Sequence, residues 1–121
     1  MKRYLQDEIR HDLDKKLVLI AGPRQAGKTT LSKQLFEEYV YLNYDNPADR
    51  LKINALHWDR QQPLLILDEL HKKPEWKRWL KGVYDKEGVS PRIIVTGSAR
   101  LDTYKRVGDS LAGRFFSFEL H

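Results

Sequence analysis

Four groups of residues in this 121-residue chain have types and spacing suited to handling phosphate. The first is Gly22-Pro23-Arg24-Gln25-Ala26-Gly27-Lys28-Thr29, followed by Thr30. It fits G-x-x-x-x-G-K-[ST] at every fixed position. Glycines admit backbone conformations that a Cβ blocks, so successive N–H groups can close on phosphate oxygens. Lys28 then reaches the β- and γ-phosphates of a nucleotide, and the Thr29 hydroxyl can ligate Mg2+. A helix opening at the loop adds unpaired N–H groups and a positive dipole end. Arg24 is a further cation in this loop, set beside the phosphates or turned to solvent or a partner. The second group is Asp68-Glu69, closing the apolar run PLLILDEL. A buried strand ending in carboxylates delivers them to a sheet edge. Asp68 there would hold Mg2+ through a water, and Glu69, on the other side of the strand end, would polarise an attacking water. The third is Thr96-Gly97-Ser98 at the end of RIIVTGS. A hydroxyl at this point can bond a γ-phosphate or the attacking water, and spacing leaves Thr96 and Ser98 both open. The fourth is Arg114, after Gly113. Its guanidinium can stabilise charge developing on a transferred phosphoryl group, in its own chain or in a neighbour's. Each group has a plainer structural alternative: a glycine-rich turn, a carboxylate cap, a turn closed by hydroxyls, a surface ion pair.

The elements that must position these groups follow from the apolar pattern. Residues 2–15 predict an amphipathic helix, with Leu5, Ile9 and Leu13 recurring every fourth position. Five short runs follow: LVLIA (17–21), VYLNY (40–44), PLLILDEL (63–70), RIIVTGS (92–98) and FFSFEL (115–120). Several are continuously apolar, as in parallel strands covered on both faces by helices. Residues 28–39 predict a helix carrying Leu31, Leu35 and Phe36. Residues 74–85 predict another, opened by Pro74 and carrying Trp76, Trp79, Leu80 and Val83. Strands alternating with helices imply βαβ units and an α/β sandwich. Asp45-Asn46-Pro47 and Glu87-Gly88 read as turns, and the polar stretch 99–113 as a loop.

Composition bounds the partners. Lys and Arg number 22 against 17 Asp and Glu, a net charge of +5. That suits polyanions, although a solvated basic surface explains it equally well. The cluster Lys72, Lys73, Lys77, Arg78 and Lys81 is interleaved with Trp76 and Trp79, as in a nucleic-acid surface that stacks on bases. The plainer alternative has the indoles facing the sheet and the lysines facing water. There is no cysteine, which excludes disulfides and thiolate metal sites. No apolar run reaches the ~20 residues of a membrane-spanning helix. The N-terminus is too polar for a secretory signal, so a cytoplasmic location is expected.

Taken in order, GPRQAGKTT, LNYDNP, LLILDEL, IIVTGS and SLAGRFFSFEL resemble the N-terminal ATPase domain of a prokaryotic AAA-type family within the P-loop NTPases. The resemblance runs from about Leu5 to Leu120, so residues 1–121 are expected to form one ATPase core. It implies a three-layer α/β sandwich with a parallel five-stranded sheet of order 5-1-4-3-2 and helices on both faces. It also implies ATP and Mg2+ as ligands. The family's phosphate roles fall on Gly22, Gly27, Lys28 and Thr29, its metal and water roles on Asp68 and Glu69, its hydroxyl sensor on Thr96–Ser98 and its arginine on Arg114. Such proteins continue into a helical region and a separate C-terminal domain, whereas this sequence ends at His121. A missing C-terminal domain or partner protein is therefore expected to complete the site.

Overall fold

The computed structural model describes residues 2–23, 27–88, 90–97 and 113–120. The expectations placed on Arg24, Gln25, Ala26, Ser98 and most of the 99–113 loop fall outside them.

Five strands carry the fold: β1 (Leu17–Ala21), β2 (Val40–Asn43), β3 (Leu64–Asp68), β4 (Arg92–Gly97) and β5 (Phe115–Glu119). They form one sheet of order β2-β3-β4-β1-β5, with every neighbouring pair parallel. This is the expected order, counted from the other edge. The helices are α1 (Lys2–Leu13), α2 (Lys28–Lys33), α3 (Pro47–Asn54) and α4 (Trp76–Glu87), with a 3-10 turn at Leu70–Lys72.

Successive strand residues enter opposite cores because side chains alternate across a sheet. Val18, Ile20, Leu64, Ile66 and Ile94 join Ile9 and Leu13 of α1 and Leu31 of α2 in one core. Leu17, Leu19, Leu65, Leu67, Ile93 and Val95 join Ile53 of α3 and Trp76, Leu80 and Val83 of α4 in the other. Continuous apolar runs were needed because both faces of the central strands are covered. Fully burying one such Leu or Ile contributes about 1.5–3 kcal/mol, so the two layers hold the sheet edges in fixed register.

Two elements differ from expectation. The helix predicted over 28–39 is only α2, ending at Lys33. Beyond its end, Arg10 of α1 donates Nε–H to the Leu35 carbonyl (2.9 Å), a tertiary contact that sequence periodicity does not carry. The turn read at Asp45-Asn46-Pro47 is also the start of α3. The Asn46 side chain accepts from the N–H groups of Ala48 (2.9 Å) and Asp49 (3.1 Å), with Pro47 in the first turn. Only Ile53 of α3 is buried, so its apolar periodicity is too thin to mark a helix.

Candidate functional site

The site assembles where the carboxyl ends of the strands lie side by side. In register, Asn43 sits opposite Asp68, Asp68 opposite Thr96, and Ala21 opposite Gly97. Strand parity then sorts the side chains. Asp68 shares the face of Leu64 and Ile66, Thr96 that of Ile94, and Tyr41, paired with Ile66, lies on the same side. That face is the one covered by α2, which brings Lys28 and Thr29.

The result is a carboxylate ringed by hydroxyls. Thr96 donates Oγ1–H to Asp68 Oδ1 at 2.8 Å. Thr29 Oγ1 donates to Asp68 Oδ2 at 3.1 Å, and the Tyr41 hydroxyl donates to the same oxygen at 2.5 Å. Asp68 is 7% exposed and Thr96 fully buried. A buried carboxylate is tolerable only when its oxygens are hydrogen-bonded, and here three donors from three elements do this. Burial, reinforced by Asp68, pushes the Tyr41 phenol well above its ordinary value, so it remains a donor. Tyr41 was not singled out in the sequence. Nothing in VYLNY distinguishes it from a core aromatic; only the β2–β3 register sets it diagonally across from Asp68, within reach of a long side chain.

The glycine-rich loop brings a buried cation beside this carboxylate cluster. Lys28 is 8% exposed, and its ammonium donates to the Gly22 carbonyl (2.8 Å) and the Pro23 carbonyl (2.9 Å). Among the described residues it has no carboxylate partner, so neutral carbonyls alone face a buried charge. Such a group is poised to take an anion. Gly27 has φ +89°, the left-handed region that favours glycine, and open space where a Cβ would stand. Gly22 is required for a different reason. A Cβ there would lie 2.7 Å from the Leu120 carbonyl oxygen, because Leu120 N–H donates to Ala21 O (2.8 Å) and draws the end of β5 against the loop.

Glu69 leaves the strand in a left-handed turn (φ 59°), with its N–H donating to Thr96 O at 2.8 Å. Its carboxylate lies 3.2 Å from Lys72 Nζ and 3.7 Å from His71 Nε2. Lys72 also holds Asp45 at 2.8 Å. Asp45, followed by Glu69, pushes the Lys72 ammonium above its ordinary range.

Two residues whose roles the sequence left open are placed by the fold. Thr96 is buried and donates its proton to Asp68. Arg114 does not reach the site of its own chain, one of the two alternatives left open for it. Leu17 N–H donates to Arg114 O (3.1 Å), placing Arg114 at the amino end of β1, and β1 pairs with β5 in parallel. A five-residue strand at about 3.3 Å per residue separates it from the loop. Its guanidinium instead holds Asp85 of α4 at 2.8 Å. That contact, followed by Lys81, keeps the Asp85 carboxyl below its ordinary value.

The basic cluster spans the 3-10 turn and α4, and most of it is engaged within the chain. Trp76 is buried, and Trp79 packs edge-on against Trp58 with ring centroids 6.2 Å apart. Lys72 is paired with Asp45, Lys81 with Asp85 and Arg78 with Glu75, and Lys73 donates to Asn54. Trp76 is therefore not offered for stacking, and Trp79 is half-buried.

Comparison with known proteins decides the family. A model described as "AAA domain" matches residues 14–121. The chain belongs to the AAA-domain family. As an AAA domain it is a nucleotide-binding, ATPase-like unit. It is 35% identical over 108 residues to an uncharacterized protein of Mycobacterium tuberculosis, and equally to one of Mycobacterium bovis. These matches cover 86% of this chain but 24% of each relative, so the chain spans about a quarter of their length. Among solved structures, C. elegans PCH-2 superposes with a TM-score of 0.53 at 13% identity, over 99% of this chain and 40% of that one. A Pif1 structure at forked double-stranded DNA gives 0.57 at 17%, over 98% and 42%. Bacteroides Pif1 bound to single-stranded DNA gives 0.53 at 18%, over 95% and 40%. At these identities the likeness is one of fold, and it agrees with the parallel order 2-3-4-1-5 of a P-loop NTPase sheet. Among the described residues no helix is long and apolar enough to cross a membrane.

Proposed function

We propose that this AAA domain binds ATP with Mg2+ in the 22–30 loop and hydrolyses it. The observation that carries the reading is Lys28, a buried ammonium facing only carbonyls among the described residues, beside a carboxylate held by three hydroxyls. In the nucleotide complex Lys28 leaves the Gly22 and Pro23 carbonyls for phosphate oxygens, and the N–H groups at the start of α2 face them.

Thr29 and Asp68 fit a magnesium ion. Among the described residues no three His, Asp or Glu side chains converge as a protein cage, and Mg2+ characteristically uses one or two carboxylates together with substrate phosphates. When bound, the ion neutralises charge on the β- and γ-phosphates. The Thr29 hydroxyl keeps lone pairs free while its proton rests on Asp68 Oδ2. Glu69 orients the water that attacks the γ-phosphorus and takes its proton, while the bond to the bridging β–γ oxygen breaks. Arg114, remote from its own site, serves a neighbouring copy's phosphates. Residues 1–121 act as a single ATPase core working with further chain or a partner protein.

The contact of Glu69 with Lys72 favours a second reading, a switch that holds nucleotide without turnover, because the base is engaged elsewhere. One experiment separates the two: ATP-dependent thermal stabilisation measured beside phosphate release. Stabilisation and release, both lost in Lys28→Ala, with ATP retained in Glu69→Gln, supports hydrolysis. Stabilisation without release supports the switch. No stabilisation by any nucleotide would sink both.

A further inference from the structure

We infer that Tyr41 is a positioning residue for the metal-handling carboxylate: its hydroxyl fixes Asp68 against Thr29 and so sets how strongly a divalent cation tightens nucleotide binding. This rests on the reading of ATP and Mg2+ given above.

The case begins with the direction of the hydrogen bonds. Asn43 Nδ2 donates to the Tyr41 oxygen at 3.4 Å, and an amide nitrogen can only donate. The phenol proton therefore points the other way, onto Asp68 Oδ2 at 2.5 Å. That oxygen is the one Thr29 also uses, at 3.1 Å, whereas Thr96 occupies Oδ1. Asp68 is thus held from β2, α2 and β4 at once, and Tyr41 is the shortest of the three holds.

The ring is fixed as firmly as the hydroxyl. Lys33 Nζ stands 4.2 Å above the ring centroid. Lys33 follows Thr29 by four residues on α2, so both project from one helix face. The same helix that presents the Thr29 hydroxyl therefore closes over the phenol. A cation on an aromatic face contributes about 0.5–1 kcal/mol at a partly exposed site, which restrains the ring without needing its hydroxyl.

A merely structural tyrosine would not need this geometry. The ring packs with the apolar face of the sheet, where phenylalanine fills the same space. The proton that the oxygen adds is directed at Asp68, and its other contact is the longer one accepted from Asn43. Without it, Oδ2 depends on Thr29 alone, the very group whose oxygen must also serve a cation. The carboxylate plane is then free to turn whenever Thr29 is engaged. The deficit appears only when a cation is present.

The test uses the full chain, a fluorescent ATP analogue and a Mg2+ titration, with parallel measurements in EDTA. A hydrogen bond to a charged group contributes enough that Tyr41→Phe should raise the Mg2+ concentration for half-maximal tightening roughly tenfold. Affinity in EDTA should stay within about twofold. Asp68→Asn should remove most of the metal dependence, and adding Tyr41→Phe to it should then change nothing further, as expected for two groups acting through one another. Equal weakening with and without Mg2+, or an unchanged Mg2+ titration, overturns the inference while the ATP reading stands. A parent chain that binds no nucleotide in either condition overturns both.

Discussion

The two ends of the sheet handle charge in opposite ways. At the carboxyl end, Lys28 and Asp68 are almost wholly buried, and each is satisfied by neutral oxygens: two carbonyls for the ammonium, three hydroxyls for the carboxylate. At the amino end, the charges pair directly and stay wet. Arg114 and Lys81 hold Asp85, and Arg92 holds Asp14 at 2.7 Å, all with partly exposed side chains. Exposed pairs of this kind are screened and contribute little. Buried charges left without a counter-ion are unstable alone and await a ligand. Exposed pairs occur at the carboxyl end too, as in Lys72 with Glu69 and Asp45, but the buried cation and anion held apart there support the proposal that it is the working end.

That contrast can be broken at several points, beginning with the largest effect. Lys28→Ala removes the buried cation and should weaken ATP binding by roughly a hundredfold, read as loss of nucleotide-dependent thermal stabilisation. An unchanged affinity would place the anion elsewhere. Gly22→Ala drives a methyl to 2.7 Å from the Leu120 carbonyl, backbone that cannot swing aside. It should cost about 1–3 kcal/mol in urea unfolding, and a wild-type midpoint would show that β5 does not hold the loop. Thr96→Val keeps the shape and strips Asp68 Oδ1 of its donor, so about 1–3 kcal/mol of stability should be lost.

At the other end the effects should be small. Arg114→Gln should leave nucleotide affinity of the isolated chain unchanged, because the guanidinium lies a strand's length from the loop. A weakened affinity would contradict that separation. The smallest effect concerns acid. The Asp85 carboxyl is held below its ordinary value by Arg114 and then Lys81. A depressed carboxyl adds stability above its unfolded value, and that stability fades as pH falls through the folded value. The melting curves of the parent and Asp85→Asn should therefore differ slightly near neutrality and converge below about pH 4. A gap that widens in acid would reverse the sign and remove the ion pair as its cause.

How much could be read in advance varied along the chain. LVLIA, LLILD and RIIVTG identified the buried strands because both faces of each are covered, leaving a continuous apolar signal. The family resemblance supplied their order. α3 escaped because a single buried side chain gives no period to detect. α2 was overextended because Leu35 and Phe36 continue the apolar pattern past the point where the helix ends, near a carbonyl that Arg10 takes. For Arg114 the sequence leaves its own chain and a neighbour's both open; the parallel register sets it at the opposite edge from its own loop.

The sequence by itself determined the chemistry on offer: a loop shaped for phosphate, a carboxylate pair at a strand end, and the apolar runs that must be buried. Local pattern suffices for these because backbone freedom and strand burial act over a few residues. Only the tertiary structure decided which groups meet. The convergence of Tyr41, Thr29 and Thr96 on Asp68, and the withdrawal of Arg114 to the far edge, depend on the register between strands distant in sequence. Register is fixed by the packing of two whole cores, and no short stretch of residues contains it.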